Sequence, residues 1–203
     1  MPEFYKKSET EFQSKPQLSA GSKLRSNIEH CIQGESISFE PNSLAEHEYW
    51  MQLALQQAQQ AALKGEVPVG AVLVHNHQCI GMGFNQPILS HDPTAHAEIC
   101  AIRNACQQLK NYRLPQNTTL YVTLEPCTQC VGALIHARVQ QVYFAASEPR
   151  AGSLVSARQL MQNGFYNHFF SFEGGLLAEQ SQTILKQFFA NRRQQNKAKL
   201  NDI

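Results

Sequence analysis

The sequence lacks any apolar run near the roughly 20 residues that a membrane-spanning helix needs, so we expect no transmembrane segment. Its first residues, MPEFYKKSETEF, contain no apolar stretch typical of a secretory signal, and their glutamates argue against a transit peptide. Internal repeats and low-complexity segments are also absent. These absences argue against membrane and repeat proteins, and we expect a cytoplasmic location.

Cysteine is too sparse for a disulfide-stabilised scaffold. The chain has 203 residues and six cysteines, and it lacks the secretory signal that usually accompanies a small disulfide-rich protein. Two of the cysteines form a Cys-x-x-Cys pair, Cys127 and Cys130. We therefore expect reduced thiols, with this pair holding a metal.

The net charge of +1 is small but unevenly distributed. Residues 186–203 contain five basic side chains and one acidic side chain, whereas the preceding part of the chain is mildly acidic. A basic terminal helix can bind phosphates, and it can equally be a solvated helix end whose cations face the negative pole of the dipole. Charge alone leaves both interpretations open.

The composition along the chain predicts one domain with extensions. Residues 1–43 are rich in Ser, Glu, Lys and Gln without a sustained period, which is typical of a poorly ordered extension. We expect the domain to span residues 44–195 and a basic C-terminal tail to span 196–203.

Hydrophobic periodicity predicts strands that alternate with helices, hence an α/β layered domain with a largely buried sheet. The first helix follows Ser43, a candidate N-cap with Glu46 three residues later. The remaining predicted elements, in order, are strands 67–74 and 79–85, helix 95–109, strand 119–124, a helix starting at Pro126, strands 139–146 and 168–172, and a helix from about 176 to 193.

Two short motifs, His96-Ala97-Glu98 and Pro126-Cys127-Thr128-Gln129-Cys130, carry the chemistry. One imidazole and two thiolates are three zinc ligands, and a catalytic zinc keeps its fourth tetrahedral position for water. We expect both motifs at helix N-termini, where the dipole favours thiolates. Glu98 then lies beside the water as a proton shuttle for attack on an amidine-like ring carbon.

A structural zinc site is the alternative interpretation of these motifs. Such a site is usually closed by a fourth Cys or His, and Cys100 is the nearby contender, one helical turn after His96. A closed site has no use for a carboxylate beside its metal, so Glu98 favours the catalytic interpretation.

At these residues the sequence resembles the cytidine deaminase superfamily, whose signature is H-x-E followed by P-C-x-x-C, and within it the bacterial tRNA-specific adenosine deaminases. The resemblance covers essentially residues 46–195. It is carried by the blocks HEYWM, EVPVGAVLVHN, HDPTAHAE, NYRL, TLYVTLEPC, AGSL and FFANRR.

The resemblance implies a three-layer α/β/α cytidine deaminase-like fold with a central five-stranded mixed sheet, a homodimer, and one zinc ion per subunit held by His96, Cys127 and Cys130. Glu98 is the implied catalytic proton shuttle. The implied reaction is hydrolytic deamination of the wobble adenosine of tRNA-Arg to inosine, a reaction of hydrolases that act on cyclic amidines.

The resemblance also implies RNA-binding residues. Asn85 matches a position that contacts the flipped base. A segment that touches the anticodon stem-loop is matched by Phe188, Phe189, Arg192 and Arg193. The loop after the fourth strand departs from the family because it is shorter, and there Glu148 takes the place of an Asp that contacts the nucleotide backbone.

Two other functions compete with this one. A deaminase of free bases or nucleosides, such as guanine or cytosine, would use the same chemistry and make the basic tail incidental. A non-catalytic zinc-containing RNA-binding module would keep the metal but leave Glu98 without a role.

Overall fold

The computed structural model describes residues 40, 42–162, 164 and 166–201, and most of the predicted N-terminal extension lies outside the described residues. A five-stranded sheet organises the domain. The elements are α1 (Leu44–Leu63), β1 (Gly70–His75), β2 (Gln78–Phe84), the single turn α2 (Pro87–Ser90), α3 (Ala97–Leu109), β3 (Thr119–Leu124), α4 (Thr128–Ala137), β4 (Gln141–Ala146), a 3-10 turn (Leu160–Gln162), β5 (Ser171–Gly174) and α5 (Ala178–Asn201).

The strand order is β2-β1-β3-β4-β5. β1 pairs antiparallel with both β2 and β3, whereas β3-β4 and β4-β5 pair in parallel. The predicted mixed sheet is confirmed. The parallel pairing places the carboxyl ends of β3 and β4 at the same edge of the sheet, and the candidate site forms beside that edge.

Helices cover both faces of the sheet, which confirms the three-layer fold. The alternation along β1 separates the two cores: Leu73 packs with alanines of α3 and with apolar residues of α4 on one face. Val72 packs with Trp50 and Met51 of α1 on the other face, where α5 also lies against α1. Both faces of β1 are therefore buried, as its continuous apolar run predicts.

A glycine in β2 sets the distance between the sheet and α3. A Cβ at Gly83 would lie 2.6 Å from the amide nitrogen of Ala101 and 2.7 Å from the carbonyl oxygen of Ala97. Only a residue without a side chain permits this approach. The close contact holds the first turn of α3, which carries Glu98, tightly against the strand.

The structure shifts several predicted boundaries. α3 begins at Ala97, so His96 is its N-cap residue rather than part of its first turn. The fifth strand covers Ser171–Gly174 rather than 168–172. The end predicted for the last helix near Arg193 is wrong, because α5 continues to Asn201. The residues after Arg193 contain no Gly or Pro to stop it.

No helix in the described part of the chain is both long and apolar enough to cross a membrane.

Candidate metal and catalytic site

The site forms where the N-termini of α3 and α4 meet. His96 and Cys127 are the N-cap residues of these two helices, and both have extended backbone conformations. Cys130 lies one turn into α4 and is fully buried. The prediction that both motifs lie at helix starts is therefore confirmed.

The three predicted ligands converge. The Nδ1 atom of His96 lies 3.5 Å from the Sγ of Cys127 and 3.5 Å from the Sγ of Cys130, and the two sulfurs are 3.6 Å apart. A tetrahedral zinc with Zn–N of about 2.0 Å and Zn–S of about 2.3 Å requires N···S edges near 3.5 Å and S···S edges near 3.8 Å. The distances between the ligand atoms of His96, Cys127 and Cys130 therefore fit a zinc ion.

Among the described residues, a group of side chains whose ligand atoms lie close enough together to bind one metal ion is formed by His96, Cys127 and Cys130. Cys100 is not part of this group. Its thiol instead accepts a hydrogen bond from Gln86 Nε2 at 3.3 Å, and burial raises its pKa. Three protein ligands leave a fourth position open, which is the arrangement of a catalytic zinc site rather than a closed structural one.

Glu98 lies beside these ligands in a desolvated position. It is only 4% exposed, and burial raises the pKa of its carboxyl to about 7. Hydrogen bonds from its own amide and from the Cys130 thiol oppose that rise. A carboxyl with a pKa near neutrality can both accept and return a proton, which suits it to the role that the sequence predicts.

The thiol of Cys127 is activated within the same cluster. Its hydrogen bond with Cys130, together with the bond to His96, lowers its pKa to about 4 although burial opposes the change. A thiolate is the form that binds zinc. The low pKa of Cys127 therefore favours the binding of a divalent cation by this group of side chains.

Asn85 holds the start of α3. Its Oδ1 atom accepts a hydrogen bond from the backbone amide of Ala97 at 2.8 Å, while the side chain of His96 makes no capping bond. Asn85 therefore orients the first turn of α3, which carries Glu98 and directly follows His96. Its predicted contact with a flipped base stays a prediction.

Glu125 is a structural residue of the site that the sequence reasoning missed. It is 3% exposed, and its Oε1 atom accepts from the amides of Leu154, Val155 and Ser156 at 2.8–3.1 Å. Its Oε2 atom accepts from the amide of Glu148 at 3.1 Å and from the hydroxyl of Ser156. Burial opposes ionisation, but these hydrogen bonds lower its pKa. The sequence feature that could have identified Glu125 is a single acidic residue between an apolar strand and Pro126.

The carboxylate of Glu125 therefore anchors the loop that follows β4. Gly152 forms a bridge with Cys127, and a Cβ at Gly152 would lie 2.4 Å from the Glu125 carboxylate. Glu148 uses its Oε1 atom to accept from the amide of Arg150 at 2.9 Å. The predicted contact between Glu148 and RNA stays a prediction, and its side chain stabilises the loop locally.

The predicted RNA-binding residues of α5 lie on different faces. Phe189 and Arg193 line a cleft beside the loop at residues 147–152. Arg192 points elsewhere: its Nη1 atom donates to the carbonyl of Gly65 at 3.3 Å, and its guanidinium lies 5.8 Å from the ring centroid of Phe188. The structure brings Phe189 and Arg193 together and separates Arg192 from them.

Comparison with known proteins gives a consistent result. Residues 44–146 match the family described as "Cytidine and deoxycytidylate deaminase zinc-binding region". The tRNA-specific adenosine deaminase of Haemophilus influenzae is 45% identical over 151 residues, which are 74% of this chain and 87% of that protein.

Solved structures share the fold. One, from a study of A-to-I editing by tRNA:A34 deaminases at the wobble position of transfer RNA, superposes with a TM-score of 0.65 at 40% identity, covering 68% of this chain and 99% of its own. The guanine deaminase of Nitrosomonas europaea superposes with a TM-score of 0.66 at 18% identity over 90% of this chain and 100% of its own. At that identity the second likeness concerns the fold alone.

Proposed function

The chain belongs to the tRNA-specific adenosine deaminases within the cytidine deaminase superfamily, and we propose that it hydrolyses the wobble adenosine of an arginine tRNA to inosine, with release of ammonia. The observation that carries this proposal is the buried carboxylate of Glu98 beside the open group of three ligands. A purely structural metal site would not need it.

We assign one zinc ion to His96, Cys127 and Cys130, whose ligand atoms have tetrahedral spacing. When bound, zinc acts as a Lewis acid and lowers the pKa of a water molecule. Two thiolates offset much of the charge of the ion, so proton removal depends more on a neighbouring base than it would beside three histidines.

Glu98 supplies that base. It takes a proton from the water that attacks C6 of adenine and delivers it to N1 of the ring. It then transfers the second proton of the water to the amino group, which leaves as ammonia while the C6 carbonyl of inosine forms. Adenosine and water are thus converted to inosine and ammonia without a net proton change at Glu98.

The partner follows from the substrate. A wobble adenosine has to leave its stack and enter the site, so the surrounding surface must hold the anticodon stem-loop. We assign RNA contacts to Asn85, Glu148, Phe189, Arg192 and Arg193, and we propose that the protein acts as a homodimer. Sedimentation velocity on the zinc-loaded full chain tests the dimer, and a monomer at micromolar concentration would contradict it.

Incubation of the zinc-loaded protein with a tRNA-Arg anticodon stem-loop, followed by inosine detection, tests the proposed reaction. Parallel reactions contain free adenosine, guanine or cytosine. Inosine at the wobble position alone supports the proposal. Ammonia from a free base alone would keep the site chemistry and overturn the RNA substrate, and no product from any of them would favour a non-catalytic zinc-containing RNA-binding module.

A further inference from the structure

The imidazole of His96 is not oriented by a polar partner outside the group of proposed ligands. A histidine that binds a metal usually donates its other ring nitrogen to a carboxylate or a carbonyl, which fixes the orientation of the ring. Within the part of the chain that the structure describes, the hydrogen bonds of the His96 ring run only to the sulfurs of Cys127 and Cys130. The position of this ring therefore depends on how its backbone is held.

Three side chains hold the segment that precedes His96. The Oδ1 atom of Asp92 accepts hydrogen bonds from the amide and the hydroxyl of Thr94 at 2.8 and 2.6 Å. Arg103 of α3 donates from Nη1 to Asp92 Oδ2 at 2.9 Å and from Nη2 to Thr94 Oγ1 at 3.1 Å. Gln129 of α4 donates from Nε2 to the carbonyl of Thr94 at 3.0 Å. The amide, the hydroxyl and the carbonyl of Thr94 are thus all bonded, and we call Asp92, Arg103 and Gln129 the brace.

Thr94 is linked directly to His96. Its carbonyl oxygen, which accepts from Gln129, also accepts from the backbone amide of His96 at 2.8 Å. His96 is the N-cap residue of α3, so its amide is one of those that a helix leaves without an internal acceptor. A displacement of Thr94 would therefore move the backbone that carries the imidazole.

The brace connects the two helix starts without using any ligand atom. Arg103 lies seven residues after His96 on α3, and Gln129 lies between the two cysteines of α4. Hydrogen bonds from Thr94 and Arg103 lower the pKa of Asp92 to about 2, so this carboxylate keeps its charge and its ion pair at neutral pH. A ligand that is already in position loses less conformational entropy when it binds.

We propose that Arg103 and Gln129 are positioning residues for the metal: through Asp92 and Thr94 they hold the backbone of His96 so that its Nδ1 atom meets the two thiolates. This inference rests on the proposed function, because it requires that the proposed ligands bind zinc. A role in folding stability alone is the alternative. It predicts a lower melting temperature of the metal-free protein without a specific loss of zinc affinity.

The test measures the zinc dissociation constant of the full chain by competition with a chelator. Gln129→Met keeps the length of the side chain and removes the donor, and Arg103→Gln removes the ion pair. Gln108→Met is the control for the first variant, because Gln108 Nε2 makes an exposed bond of the same kind to Asn104 within α3, at 2.7 Å. Arg113→Gln, at an exposed arginine before β3, is the control for the second.

We expect each brace variant to raise the zinc dissociation constant by about tenfold, the lower end of the range for residues that orient a metal ligand. The melting temperature of the metal-free protein should stay within about 3 °C of the wild type, the scale of one exposed interaction in a chain of this size. At saturating zinc the deamination rate should equal that of the wild type. Both controls should match the wild type throughout.

A second comparison asks whether the brace acts through His96. In a His96→Ala background the two thiolates still bind zinc, although more weakly, and Gln129→Met and Arg103→Gln should then leave the dissociation constant unchanged. Side chains that act through a common partner lose their effect when that partner is removed. A tenfold loss that persists in this background would overturn the proposal.

An unchanged zinc affinity in both brace variants would also overturn it, whether or not the metal-free melting temperature falls, and so would an equal loss in the two controls. If the wild type binds zinc but forms no inosine, the proposed reaction fails, and the dissociation constants still decide the role of the brace. If the wild type binds no zinc, both are overturned.

Discussion

The burial of Glu98 sets the acid-base properties of its carboxyl group. The carboxylate is enclosed at the first turn of α3, and this desolvation brings its pKa close to neutrality. Elsewhere a buried acid would be a cost to stability. Here it lies beside His96, Cys127 and Cys130, which would hold a metal ion, and there it could exchange protons with a water molecule bound to that ion.

Glu98→Gln replaces the carboxylate of the proposed proton shuttle by an amide of the same size. We expect zinc content and melting temperature to be retained, while the deamination rate falls by at least about a hundredfold because general acid-base catalysis is lost. Metal analysis and inosine formation measure the two effects. Turnover equal to that of the wild type would remove Glu98 from the mechanism.

Asn85 acts through the helix that it caps. Asn85→Ala removes the acceptor of the Ala97 amide, and we expect a loss of about 1 kcal/mol in the free energy of unfolding. Zinc should also bind less tightly, because His96 directly precedes the capped turn. Urea denaturation and competition with a chelator measure these changes.

Asn85→Asp is the matched variant for this prediction, since it keeps an oxygen acceptor and loses the amide donor. We expect it to retain stability and zinc. A deamination defect that persists in Asn85→Asp would then report on a contact with the base. Equal destabilisation of both variants would contradict the capping role.

At the level of elements, one carboxylate holds the loop between β4 and the 3-10 turn. Glu125, directly after β3, accepts hydrogen bonds from both ends of this loop. β3 and β4 end at the same edge of the sheet, so a residue following one strand can organise the residues following the other. Glu125 thereby holds the loop that contains Arg150, and Gly152 of the same loop forms a bridge with Cys127.

Glu125→Gln should lower the free energy of unfolding by about 1–3 kcal/mol, because an amide nitrogen would face donors and leave buried groups unsatisfied. Glu48→Gln, on the exposed face of α1, should change it by less than about 0.5 kcal/mol. Denaturant titrations of both variants make this comparison.

The pH dependence of this effect has a definite sign. The pKa of Glu125 is lower in the folded protein than in the unfolded chain, so its stabilisation is present above the unfolded value and is lost as pH falls through the folded value. The difference between the wild type and Glu125→Gln should therefore shrink below about pH 4. A difference that grows on acidification would contradict this account.

At the scale of the whole molecule, the three proposed ligands connect two helices from separate parts of the chain. Metal bound at this junction should stabilise the folded state by mass action, by about 4 kcal/mol when free zinc exceeds its dissociation constant a thousandfold. Chelation should lower the melting temperature and abolish deamination, and added zinc should restore both.

Cys130→Ser and Cys106→Ser form a matched pair for this prediction. Cys130 is a proposed ligand, whereas Cys106 packs against the core at the far end of α3. We expect zinc to be lost from Cys130→Ser and retained by Cys106→Ser. Thermal unfolding with and without chelator distinguishes them, and a chelator response in Cys130→Ser equal to that of the wild type would contradict the assignment.

The sequence by itself determined the candidate metal group and the layered fold, because both depend on the local spacing of residues. His96-x-Glu98 and Cys127-x-x-Cys130 each lie within one helix start, and the apolar run of β1 already requires cover on both faces. Local spacing sets which side chains share a turn. Hence the clustering of these three side chains beside Glu98 and the α/β layers could be predicted before any coordinates, whereas the roles of ligand and proton shuttle stay predictions.

Only the tertiary structure decided which distant residues meet. Glu125 reaches Ser156, Asn85 caps α3, and Arg150 joins Arg193 because sheet order and register place separate segments side by side. Successive helical residues are about 100° apart, so Arg192 and Arg193 must face different ways. Which of them turns to the cleft depends on the face that α5 packs against α1 and β4, and that choice belongs to the folded chain as a whole.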